Sequence, residues 1–162
     1  MAANRSEKIR PPAVIILILL HVLLGIGALG GGGVLVADPT GATMGMPLSM
    51  LDGLPFRTFL APALALALLL GVCPLLVAIG LWNPRALAFF ELLNPSKSRR
   101  WPFAASISIG VYLMGWTLGE MMIWGWVWPS AIYCAWGGVV VAITFVTSVK
   151  RYLQVAASAS AR

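Results

Sequence analysis

The chain has 162 residues, 60% of them hydrophobic and 10% charged, with mean hydropathy +0.92. A soluble domain carries about 25% charged residues, so 11 Lys and Arg with 5 Asp and Glu cannot cover a water-facing surface. The net charge of +6 lies between long apolar runs rather than on one solvated face, which excludes a nucleic-acid reader, an ordinary globular enzyme and a disordered tail. The composition is that of an all-α, polytopic membrane protein.

A helix crosses the roughly 30 Å of bilayer hydrocarbon in about 20 residues. The first apolar run, 13–37, follows Arg5, Lys8 and Arg10 and is interrupted only by His21. It is longer than the h-region of about 7–15 residues in a signal peptide and is expected to stay in the membrane. His21, the only histidine, falls about 15 Å deep by helical rise. There it is expected to bond a hydroxyl or carbonyl on another helix, or alternatively to relay protons or contact a quinone-like ligand. The run ends in Gly30-Gly31-Gly32-Gly33, read as a close helix contact or alternatively as a hinge or a bilayer-facing groove for a lipid chain, with Gly31 and Gly32 as candidate lipid or partner contacts.

Residues 38–57, DPTGATMGMPLSMLDGLPFR, repeat turn formers every few positions yet are rich in Met, Leu and Phe. This pattern predicts a compact cap with a short helical turn near Pro47–Leu51, in which Asp38, Asp52 and Arg57 are candidate polar residues. The second span, 58–82, has no ionisable residue except Cys73. The connector 83–100 holds Asn83-Pro84 and Asn94-Pro95, both turn-starting pairs, around the apolar stretch 86–93, expected to lie on the membrane surface.

The third span, 101–124, carries small-residue pairs at Ser106/Gly110 and Gly115/Gly119, and Glu120 near its far end. Trp116, Trp124, Trp126 and Trp128 gather there, as indole rings do at the headgroup level. A carboxylate at that depth needs a partner, and Arg57 is the expected one. A few residues later the fourth span, 131–149, stops at Lys150 and Arg151. Cys73 and Cys134 lie at very different depths and are expected to stay unpaired.

Basic residues set orientation. Ten of the eleven lie in the N-terminus, the 83–100 connector and the C-terminus, and only Arg57 lies on the other side. Both termini are therefore expected in the cytoplasm. The fold expected is a single domain, an antiparallel bundle of four transmembrane helices with an outer cap loop.

Three stretches, 31–52 (GGGVLVADPTGATMGMPLSMLD), 54–62 (LPFRTFLAP) and 119–129 (GEMMIWGWVWP), resemble a group of small, uncharacterised bacterial four-span integral membrane proteins. In size and span count the chain is also loosely similar to DoxX-like proteins, some of which are membrane subunits of quinone-linked oxidoreductases. The resemblance implies a bacterial cytoplasmic-membrane protein and carries no catalytic motif with it. No nucleotide-binding glycine loop, metal-ligand cluster or Ser-His-Asp set is present, so no catalytic residue, metal or cofactor is expected. The function expected is a non-enzymatic accessory or interaction subunit. It would bind lipid, another membrane protein or a second copy of itself through the outer loop and the rim of Trp124, Trp126 and Trp128, and no nucleic acid. The alternative is a small transporter or quinone-linked subunit using His21 and Glu120.

Overall fold

In this computed structural model the described residues are 10–83, 86–95, 99–126 and 128–158, with side chains to residue 154. Arg5, Lys8, Arg85, Lys97 and Arg162, used above for orientation, lie outside them. Among the described residues every regular element is helical. Helix α1 spans Pro12–Ala37, α2 Leu60–Trp82 and α3 Trp101–Trp124, and each is long and apolar enough to cross a membrane. Their outward faces are apolar too, with Leu23 58% and Ile26 60% exposed, a surface suited to hydrocarbon rather than water.

The expected fourth span is not one straight helix. Helix α4 spans Trp128–Thr144 and α5 Thr147–Ser158, bent by 59° at Phe145-Val146. Two features end α4. Thr144 is fully buried and its hydroxyl donates back to the Val140 carbonyl at 2.7 Å, a bond that bends helices. The chain then turns amphipathic. Val149 and Leu153 of α5 pack fully buried into the core, while Arg151 stays exposed. The bend carries α5 under the adjacent helix ends, where the Tyr152 hydroxyl donates to the Leu81 carbonyl (3.2 Å). The Arg10 guanidinium likewise donates to the Trp82 carbonyl (3.1 Å) and lies over the Trp82 ring. Distant side chains thus occupy carbonyls that the end of α2 leaves free.

Two antiparallel hairpins make up the molecule, α1 with α2 and α3 with α4. Glycine sets both seams. In the first, a Cβ on Gly25 would lie 2.9 Å from the Gly71 carbonyl oxygen, and one on Gly32 3.1 Å from that of Ala63. In the second, Gly110 and Gly137 face each other so closely that a Cβ on either would meet the other's carbonyl oxygen, at 2.8 and 2.6 Å. Of Gly30–Gly33, only Gly32 is at the seam. Gly30, Gly31 and Gly33 have open space where a side chain would stand, because only one residue per helical turn faces a single neighbour.

Within α2 the turns widen to i→i+5 bonding over Leu66–Val72, ahead of Pro74. Proline offers no N–H and crowds the carbonyl four residues back, and a wider turn relieves that crowding. The hairpins meet at the end that carries Arg10, Arg99 and Lys150, which we call the basic end. Gly80 of α2 abuts Trp101 and Pro102 of α3 there. The connector forms a tight helical turn at Ala88–Leu93, and its Glu91 carboxylate accepts the Trp101 N–H (3.3 Å) at the start of α3. Phe103 and Phe145 meet edge to face, with Arg99 over the first ring and Lys150 over the second.

Candidate functional site

At the opposite, loop end, residues 38–59 fold back over the helices. The expected turn is present at Leu48–Leu51, with a second at Ala42–Met44. Leu51 and Phe59 are buried against Leu35 of α1 and Ala63 of α2, with Met46, Met50 and Leu54 packed beside them, while Met44, Leu48 and Phe56 are exposed. Gly41 must be glycine. Its φ is +78°, and a Cβ would run into the Met46 carbonyl and the Phe59 ring.

Asp38 ties the loop to α1. Its Oδ1 accepts the Thr40 N–H (3.2 Å) and hydroxyl (2.5 Å), and its Oδ2 the Thr43 N–H (2.8 Å) and hydroxyl (2.7 Å). These bonds, the Thr40 hydroxyl foremost and the Thr43 hydroxyl next, hold the carboxyl well below the usual carboxylate range. A depressed value fixes the sign of the pH effect. The contribution is complete above the unfolded value of about 3.9 and is lost as pH falls through the folded one. Methyl NMR shifts of Met44 and Met46 should therefore hold steady down to pH 4 and move only in stronger acid. Asp38→Ala should shift them already at neutral pH.

Under the loop lies a cavity of about 490 Å³. Its walls are α1 (Gly31, Leu35), the loop (Met44, Met46, Leu51, Leu54, Phe56, Phe59), the start of α2 (Pro62, Leu66) and the loop-end half of α3 from Gly115 to Trp124. Three wall positions explain the hollow. Gly31, Gly115 and Gly119 have nothing within 4 Å of where a Cβ would stand. Of the two small-residue pairs in α3, Gly115/Gly119 is thus a cavity wall, the groove alternative, whereas Ser106 and Gly110 are packed and buried.

Glu120 is the one charged residue among the described residues lining this cavity. Its expected partner Arg57 is exposed and does not hold it. Instead Oε1 accepts the Trp116 indole N–H (2.7 Å) and Oε2 the Ser130 hydroxyl (2.9 Å). Trp116 stands four residues before Glu120, one helical turn away, and Ser130 arrives across the α3–α4 turn. The first partner was readable from helical spacing; the second required the hairpin. Trp124 lines the cavity and donates its indole N–H to the Met50 carbonyl (2.9 Å), fastening loop to helix. Trp126 and Trp128 are 79% and 71% exposed and stand away from the wall. Asp52 is exposed at the end of the Leu48–Leu51 turn.

His21 belongs elsewhere. It is fully buried in α1, and its Nδ1 pairs with the Leu17 carbonyl of its own helix at 2.8 Å rather than with another helix. With Nδ1 as donor, Nε2 is left buried without a partner. By helical rise His21 stands about 14 Å from the basic end and Glu120 about 28 Å, so the structure does not bring the two together. Cys73 and Cys134 are free. A second groove of about 470 Å³ opens at the basic end between α2, α3 and the connector, lined by Cys73, Phe90, Trp101 and Tyr112 among others. No group of three or more His, Cys, Asp or Glu among the described residues is placed to hold a metal. Compared with family models, curated proteins and solved structures, the chain matches none.

Proposed function

We propose that this chain is a four-span integral protein of the bacterial cytoplasmic membrane, with both termini cytoplasmic, that holds a lipid in the cavity under its outer loop as a non-enzymatic binding or accessory subunit. The observation that carries the reading is the cavity itself, roofed by an inward-folded loop and hollowed by Gly31, Gly115 and Gly119. Its size falls in the range of about 300–1,000 Å³ typical of small-molecule sites, and its lining is apolar except at Glu120. Counting α4 with the bent α5 as one crossing makes the number of spans even, which the distribution of basic residues favours. A lipid is favoured because the cavity offers an occupant apolar side chains from three helices and from the loop, Met46, Leu51, Leu54 and Phe59 among them.

Native mass spectrometry of the protein released from lipid nanodiscs tests this. The double variant Gly115→Leu/Gly119→Leu fills open space on a helix, so its melting temperature should not fall. It is expected to lose the lipid that the wild-type protein retains. Equal retention by both proteins would overturn the reading.

A further inference from the structure

We propose that the lipid held in this cavity carries an ammonium headgroup, which docks against Glu120, and that the site discriminates against anionic lipids. The inference rests on the lipid-binding reading above and adds the chemistry of the headgroup.

Charge and ring placement both point to it. Glu120 is the sole charge on the described wall, and its two hydrogen bonds leave acceptor capacity, since a carboxylate offers about four lone-pair sites. A carboxylate in an apolar wall is costly to desolvate and gains most from a cation brought close to it. Trp116, Trp124, Phe56 and Phe59 line the same space, and aromatic faces attract ammonium groups within about 6 Å. The loop over the cavity has the same balance of sign, with two acids, Asp38 and Asp52, against one base, Arg57. An anionic headgroup would meet net negative charge, whereas the ammonium of a zwitterionic ethanolamine lipid meets the carboxylate and leaves its phosphate toward water.

The test uses the full chain in nanodiscs of equal parts phosphatidylethanolamine and phosphatidylglycerol with identical acyl chains, reading the lipids retained by native mass spectrometry. The retained pool of wild-type protein is expected to favour the ethanolamine lipid by about fivefold or more. Glu120→Gln should bring the ratio back toward that of the bilayer, and Glu120→Asp, which keeps the charge, should preserve it. A wild-type ratio equal to the bilayer, or an enrichment unchanged by Glu120→Gln, would overturn the headgroup assignment. The cavity reading fails separately, if Gly115→Leu/Gly119→Leu retains as much lipid as wild type. The wild-type ratio is read without any variant, so it stands whether or not the substituted proteins fold.

Discussion

Gly137→Leu is expected to lower the melting temperature sharply, whereas Gly138→Ala, one residue along α4, leaves it almost unchanged. At Gly137 the new Cβ would stand 2.6 Å from the Gly110 carbonyl oxygen and 3.3 Å from the Met114 nitrogen, both backbone atoms that no rotamer change can move. The helices must separate, and overpacking of this kind costs about 1–3 kcal/mol. Separation also loosens Val140, fully buried beside the same seam. At Gly138 the nearest atom is the Met114 sulfur at 3.9 Å, an ordinary contact with a flexible side chain. A thermal-shift assay in detergent on both variants checks the contrast. Equal melting temperatures for Gly137→Leu and the wild-type protein would mean that α3 and α4 do not approach as described.

Glu120→Ala should be the next most damaging change at the loop end. It strips the acceptor from the Trp116 indole N–H and from the Ser130 hydroxyl, and Ser130 is only 6% exposed. Leaving such donors unpaired costs about 1–3 kcal/mol. Arg57→Ala should leave the melting temperature where it was, since the guanidinium is exposed and the Glu120 carboxylate is held by Trp116 and Ser130 instead. The double variant should then equal the sum of the singles to within about 0.5 kcal/mol. A larger coupling energy, measured by the same thermal assay, would restore an ion pair between the two residues and displace Trp116 and Ser130 as the partners.

Much of the architecture was legible along the chain. Unbroken apolar runs with proline near their starts and polar or glycine-rich stretches between them located α1, α2 and α3 to within a residue or two, because the thickness of hydrocarbon leaves a helix little choice of length. The helical turn at Leu48–Leu51 was legible because Pro47 and Asp52-Gly53 bracket it. Asp38 is legible as a polar residue of the loop, and its bonds to Thr40 and Thr43 follow from hydroxyls two and five residues ahead of it.

What the one-dimensional pattern determined, then, was which segments are helical and apolar, since those properties depend on composition and local hydrogen bonding. Which face each helix turns inward was decided only in three dimensions. Gly32 and Gly110 lie against neighbouring backbones, while Gly31, Gly115 and Gly119, chemically identical and a few residues away, bound an empty space. A missing side chain permits both close approach and a hollow, and only the position of the neighbouring helix selects between them. The same holds for Glu120: its depth was readable from Trp101, but its partner was settled by the α3–α4 turn that brings Ser130 within 2.9 Å. The bend after Thr144 has a local trigger in the Thr144–Val140 bond, but its outcome is tertiary, because Val149 and Leu153 are buried only where the other helices stand.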